Sequence, residues 1–313
     1  MKTALVTANE DGSNYVPLTT LAEIRAMGME LVCKNCKTEE DVLETAKDAE
    51  IIWFFGQCPS LTPAVMDKLP KLKAIFRSGS GVDAIHPHAT DLGIAICNTP
   101  ESISEAVAEQ AVALLFALSK HIQFHSRVIR EGQWTPKGVI NSFHLTGRTL
   151  GLVGYGRIAR RVEEMVAGFN MKVIHSDPFA ENSVPLEELL KESDFISLHC
   201  PLTDETKHSI NEEAFKMMKK TALLVNTSRG PVVDEKAMIK ALQEGWIAGA
   251  ALDVMDSEPM EEDNPLRKMD NVLLTPHIAA FTTDFSKNFW AYSVKKLAAL
   301  MKGDFKKESV NLR

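Results

Sequence analysis

Apolar positions along the chain fall into short, nearly continuous runs, separated by longer stretches where they recur at helical spacing. The runs read "KTALVTA", "MELVCKN", "AEIIWFFG", "LKAIFRSG" and "GIAICN", and after a wide gap "TLGLVG", "KVIHSD", "DFISLHC", "ALLVNTS", "GAALDV" and "NVLLTPH". Continuous apolar runs suit strands covered on both faces, and strands alternating with helices build parallel α/β sheets. A first set followed by a second predicts two doubly wound parallel sheets. The stretch between them, "NTPESISEAVAEQAVALLFALSKHI", is apolar nearly all round and predicts a long helix buried between domains, or else a core helix of one domain. Pro100 marks its start, with Ser102 and Glu105 as a capping box. The last segment, from "FSKNFW" onward, predicts an amphipathic helix and a tail.

The turn after "TLGLV" carries the most specific local signal. Gly154-Tyr155-Gly156-Arg157-Ile158-Ala159 fits G-x-G-x-x-G/A, with a strand before it and a helical pattern after it. Gly154 permits the tight turn, Gly156 lets backbone approach a pyrophosphate, and Ala159 is small enough for close helix packing. The helix N-terminus then offers N–H groups to phosphates. The next strand ends at Asp177, where a carboxylate bonds the ribose hydroxyls of a dinucleotide. Asp177 would repel a 2′-phosphate, and no arginine follows it in "SDPFAENS", so NAD is expected rather than NADP.

Three further strand ends carry chemistry. Arg229 stands between Ser228 and Gly230 after "ALLVNT", Glu258 follows "GAALDV", and His277 follows Pro276 after "NVLLT". Taken singly, each has an ordinary reading: a solvated cation, a loop carboxylate, a half-buried histidine. Together they sit past strands of one sheet, where the loops of an open α/β fold converge on a ligand. An arginine there is a candidate for gripping an anion, which its planar fork can bond at two oxygens. A histidine oriented by a carboxylate can move the proton.

The bulk numbers narrow the classes. At 313 residues the chain is long enough for two domains, and 45% apolar with 25% charged residues is ordinary for globular proteins. A formal charge of −7 and the lack of any basic run argue against a nucleic-acid or anionic-membrane partner. No repeat or membrane-spanning stretch is present, and the short N-terminal apolar run reads as a first strand rather than a signal segment. Five cysteines, an odd and sparse set, suit a reducing compartment, so a soluble cytoplasmic protein is expected. Cys33 and Cys36 form a C-x-x-C without a second ligand pair, and no metal is expected.

With these residues in place, the chain resembles the D-isomer-specific 2-hydroxyacid dehydrogenases, the family that includes phosphoglycerate dehydrogenase, hydroxypyruvate and glyoxylate reductases and formate dehydrogenase. The motifs that carry the likeness are "RSGSGVDAI", "NTPESISEAVAEQAV", "LGLVGYGRIAR", "CPLTDETKHSI", "VNTSRGPVVDE", "ALDVMDSEP" and "TPHIA", in that order. The resemblance implies a catalytic arginine at Arg229, glutamate at Glu258 and histidine at His277. It implies cofactor contacts from Gly154, Tyr155, Gly156, Arg157, Ile158, Asp177, Cys200, Pro201, Thr206 and Thr227, with Asp253 on the nicotinamide carboxamide. Ser80, Gly81 and Val82 would offer N–H groups to the substrate carboxylate. It further implies a flavodoxin-like substrate domain built from residues 1–98 and 285–313, interrupted by a Rossmann NAD-binding domain over residues 99–284. A homodimer joined through the cofactor domain is expected, as is closure of the domains about crossings near Asn98 and Thr282. The chain departs from the family at Ala159, which the fingerprint allows, and after Asp83, where an Asn often follows.

The activity so implied is hydride transfer between NAD(H) and a small D-2-hydroxy acid or 2-oxo acid, such as hydroxypyruvate, glyoxylate or a phosphoglycerate-like compound. Two alternatives use the same fold: an NAD(H)-sensing, corepressor-like binding protein, and a formate or phosphite dehydrogenase. The loops "ANEDGSNYV" and "FGQCPS", with aromatic residues near Phe281 and Trp290, are the expected readers of the substrate side chain.

Overall fold

The computed structural model describes residues 1–7, 16–134 and 141–312. The chain divides into two compact units, Met1–Ile103 with Thr283–Arg313, and Ser104–Thr282.

The first unit holds β1 (Lys2–Thr7), β2 (Glu30–Asn35), β3 (Ile51–Phe54), β4 (Ala74–Arg77) and β5 (Ala95–Asn98). They form one parallel sheet in the order β2-β1-β3-β4-β5, which reverses direction between β1 and β3. Every residue of β3 is buried, as the unbroken apolar run requires. The helix Phe285–Leu300 packs on this sheet: Phe289, Trp290, Val294, Leu297 and Leu300 share a core with Trp53 and Phe76. Ser293 adds a buried hydroxyl contact to Ser78 at 2.7 Å, and the Trp53 indole donates to Ser78 at 2.8 Å. Thr99 and Gly79 exchange backbone bonds through the Thr99 amide and hydroxyl, which ties the chain after β5 to this sheet.

The second unit holds β6 (Thr149–Val153), β7 (Lys172–Ser176), β8 (Phe195–Leu198), β9 (Leu223–Asn226), β10 (Gly249–Leu252) and β11 (Val272–Leu274). Its parallel order is β11-β10-β9-β8-β6-β7, with the reversal between β6 and β8. Among the described residues all eleven strands fall on the apolar runs, and both sheets are doubly wound. In such sheets the ligand crevice lies beyond the carboxyl ends of the strands at the reversal.

The expected long helix is the 16-residue helix Ser104–Ser119, a core helix of one unit. Ser104–Ser119 buries Ala108, Ala111, Leu115 and Leu118 in the core of the second unit. It is followed by left-handed His121 and then Ile122–Arg130. Ser102 is not its cap: the hydroxyl donates to the Thr99 carbonyl at 2.6 Å, and Glu105 pairs with Arg161. Among the described residues, no helix is long and apolar enough to cross a membrane.

Candidate active site

Gly154 follows β6 with φ +84°, and a Cβ there would lie 2.6 Å from the Cys200 backbone nitrogen. Only glycine lets the end of β6 press against the end of β8, the two strands flanking the reversal. Gly156 has the opposite reason to be glycine, since a Cβ on it would point into open space, where a ligand can approach the backbone. It is also the N-cap of the helix Arg157–Val166, and no side chain caps that terminus. The N-terminus is therefore left to an anionic partner.

Asp177 lies just past β7. Its Oδ2 accepts from the Tyr155 amide at 2.7 Å and its Oδ1 from the Phe179 amide at 2.8 Å, so its carboxylate is fixed beside the glycine-rich turn. Cys200 is buried after β8, and burial pushes its thiol up to about 11. The Thr206 hydroxyl donates to the Pro201 carbonyl at 2.6 Å and closes the following loop. Burial pushes His199 down to about 4, which keeps its ring neutral. The His199 Nε2 and Thr227 Oγ1 are buried polar atoms without a partner among the described residues, one position past β8 and β9. An open cradle at Gly156, an uncapped helix terminus, a fixed carboxylate and these two orphaned atoms fit a dinucleotide.

Arg229, Glu258 and His277 come together at the ends of β9, β10 and β11. Their meeting depends on Gly230: a Cβ there would fall 1.8 Å from the Met255 carbonyl oxygen, so the arginine loop rests directly on the glutamate loop. Asn226 braces the arginine loop, donating to the Arg229 carbonyl at 2.9 Å and accepting from the Ser228 amide at 2.9 Å. Arg229 donates to the Ser228 carbonyl at 2.7 Å. Glu258 accepts from the Met255 amide through Oε1 at 3.1 Å and from His277 Nδ1 through Oε2 at 2.7 Å.

The electrostatics follow from these contacts. The hydrogen bond to Glu258 holds the His277 pKa above the usual histidine value, against opposing contributions from burial and from Arg229. Burial pushes Glu258 up, but the His277 bond and the Met255 amide outweigh it, and its carboxyl ends below the usual range. The result is an ionised carboxylate holding a proton-bearing imidazole beside an arginine.

His277 has φ +53°, a backbone conformation rare outside glycine, and Asp253 supplies the force that holds it. Asp253 is 0% exposed. Its carboxylate accepts from the Thr275 hydroxyl at 2.5 Å and the amides of Ile278 and Ala279 at 3.0 and 2.9 Å. The Asp253 carbonyl accepts from the His277 amide at 2.7 Å. The resemblance implies Asp253 on the nicotinamide carboxamide; its bonds here anchor the loop on both sides of His277.

In the first unit, the Ser80 carbonyl accepts from Asn98 at 2.6 Å and the Gly81 carbonyl from Arg77 at 2.7 Å. Across a trans peptide the next N–H points the other way, so the amides of Gly81 and Val82 are turned away from those partners. Arg77 also donates to the Gly56 carbonyl at 2.9 Å and so joins two loops. Sequence reasoning passed over Arg77, although a cation closing an apolar strand was the available signal. Trp290, expected near the substrate, is a core residue set edge-on to Trp53 and Phe55. Phe281 is 68% exposed. "ANEDGSNYV" lies outside the described residues except for its last valine.

Residues 112–279 match the D-isomer specific 2-hydroxyacid dehydrogenase, NAD binding domain. The chain belongs to that family. A glyoxylate reductase of Korarchaeum cryptofilum is 40% identical over 283 residues, covering 86% of this chain and 85% of that protein. A D-3-phosphoglycerate dehydrogenase of Methanocaldococcus jannaschii is 37% identical over 286 residues, 88% of this chain but 54% of that protein. The crystal structure of D-lactate dehydrogenase from Aquifex aeolicus, complexed with NAD and lactic acid, superposes with a TM-score of 0.81 at 31% identity, covering 98% of this chain and 99% of that one. The chain is thus an NAD-dependent oxidoreductase that transfers a hydride between the cofactor and a 2-hydroxy or 2-oxo acid. The comparisons favour this over both the corepressor-like and the formate or phosphite alternatives.

Proposed function

We propose that the substrate is a small 2-oxo acid, with glyoxylate and hydroxypyruvate the first to test, and that Arg229, Glu258 and His277 carry its reduction. The observation that carries this reading is the 2.7 Å bond between His277 Nδ1 and Glu258, formed beside Arg229. Arg229 binds the carboxylate and carbonyl oxygens, and its hold strengthens as charge develops on the carbonyl oxygen. NADH, when bound, supplies the hydride to the carbonyl carbon. His277, with Nδ1 committed to Glu258, gives its Nε2 proton to the carbonyl oxygen, and takes it back in the oxidative direction. Glu258 fixes the ring and favours its protonated form. Asp253 has three acceptor positions filled out of the roughly four a carboxylate offers, which leaves one for a carboxamide. The test is NADH absorbance with a panel of 2-oxo acids and Arg229→Ala as control; a panel on which no acid is reduced overturns the reading.

The Glu258–His277 pair gives a pH signature. Reduction needs the protonated ring, so reductive kcat/KM falls as pH rises through the His277 pKa. That pKa is raised by Glu258. Glu258→Gln is therefore expected to move the alkaline limb to lower pH; an unmoved limb places the titration on another group.

Asp177 sets cofactor choice in this reading. Asp177→Ala removes a charged hydrogen-bond acceptor and is expected to shift the NADH-to-NADPH ratio of kcat/KM by about 10- to 100-fold towards NADPH. An unchanged ratio makes Asp177 a turn residue only.

The same reading takes the enzyme as a cytoplasmic homodimer joined through its cofactor domain. In support, the helix Ile122–Arg130 buries none of its residues, and Ile122, Ile129 and Trp134 are 54%, 49% and 84% exposed.

A further inference from the structure

We propose that His175 is a specificity-determining residue, locking Asp177 in the orientation that accepts a dinucleotide without a 2′-phosphate. The proposal rests on the reading of Asp177 as the ribose-binding carboxylate. His175 lies on β7, two positions before Asp177. It acts on the two backbone segments that hold the carboxylate.

The first segment is the glycine-rich turn. The imidazole of His175 lies flat on the Tyr155 ring, with centroids 3.7 Å apart and planes 7° apart. The Arg160 guanidinium sits 4.3 Å from the same ring's centroid, and the Tyr155 hydroxyl donates to Glu163. Tyr155 is thereby clamped, and its amide is the group that donates to Asp177 Oδ2 at 2.7 Å.

The second segment is the loop after β7. A ring nitrogen facing a carbonyl must carry the proton, so His175 Nε2 donates to the Glu181 carbonyl at 2.9 Å. The His175 carbonyl accepts from the Val184 amide at 2.9 Å, closing the loop a second time. Within the closed loop Phe179 donates its amide to Asp177 Oδ1 at 2.8 Å, and the Ser183 hydroxyl accepts from the Asp177 amide at 2.8 Å. Phe179 itself is 97% exposed, so no packing of its side chain fixes this loop.

One imidazole therefore secures both donors that orient Asp177. A carboxylate held from two sides keeps its remaining lone pairs aimed at two ribose hydroxyls and cannot swing aside for a 2′-phosphate dianion. Released, it would both bind ribose less well, since the loop must be ordered on binding, and exclude the phosphate less strictly.

The experiment compares His175→Ala, His175→Phe and His175→Gln with the parent and with Asp177→Ala, measuring kcat and KM for NADH and NADPH at saturating 2-oxo acid. His175→Ala is expected to raise the KM for NADH about 5- to 20-fold and to lower discrimination against NADPH, while kcat at saturating NADH stays within about twofold. His175→Phe keeps the stack and His175→Gln keeps a donor, so each should recover part of the preference. A His175→Ala enzyme with parental KM and parental discrimination, alongside an Asp177→Ala enzyme that has lost its preference, overturns the lock and leaves the ribose reading standing. An Asp177→Ala enzyme with unchanged preference overturns both. A fall in kcat and melting temperature with no change in cofactor preference shows a structural histidine and also overturns the lock.

Discussion

His277→Gln is expected to lose turnover by about 10²- to 10⁴-fold, the usual contribution of a positioned general acid. The substitution keeps a polar side chain but removes the titratable proton, so the loss reports proton transfer rather than volume. Three features of the structure point to this outcome. The ring is tied to Glu258 at 2.7 Å, its pKa is raised, and its strained backbone at φ +53° is held by Asp253 from both sides. Strain at a functional side chain persists only where the surroundings over-determine it. NADH affinity should survive, because Gly156, the helix terminus beside it and Asp177, the groups that fit its phosphates and ribose, lie at the ends of β6 and β7, away from β11. The measurement is kcat for 2-oxo acid reduction together with a fluorescence titration of NADH. Equal loss of both would make His277 a structural residue.

Much of this site was legible in the sequence because its chemistry is local. Gly154 and Gly156 announce themselves by spacing, and the structure supplies separate reasons for each, a 2.6 Å approach to Cys200 and an open space. The strands were legible because parallel strands buried on both faces leave unbroken apolar runs, as in the fully buried Phe195–Leu198. Long-range reciprocity was not legible. In the sequence Gly230 is only the residue after Arg229, yet in the fold it is fixed by the Met255 carbonyl, a neighbour that only the folded sheet brings near. Asp253 could be seen at a strand end, but not that its oxygens would fold back on Thr275, Ile278 and Ala279. Ser102 failed as a cap because Pro100–Ser102 winds as a 3-10 turn and the helix starts only at Ser104, a local conformation that helix-start patterns do not weigh.

Arg229→Lys is the second large effect. The charge is retained, so an enzyme that needs only positive charge near the substrate would lose little. A planar fork that bonds carboxylate and carbonyl oxygens together cannot be replaced by a single ammonium. Loss of a donor to a developing oxyanion typically costs about 10²- to 10³-fold in kcat, and a comparable fall in kcat/KM is expected here. The setting of Arg229 makes the lysine a fair test of geometry. Its loop is braced by Asn226, which donates to the Arg229 carbonyl at 2.9 Å, and by the Gly230–Met255 approach, neither of which involves the guanidinium. The substitution alters the side-chain bond from Arg229 to the Ser228 carbonyl at 2.7 Å but leaves those two backbone braces untouched, so the backbone should hold its course. The pH profile separates the two roles of the charge. Arg229 opposes protonation of His277, and lysine preserves that opposition, so the alkaline limb should stay in place while its height falls. Full activity in Arg229→Lys would remove the bidentate grip and reduce Arg229 to an electrostatic lure for the substrate carboxylate.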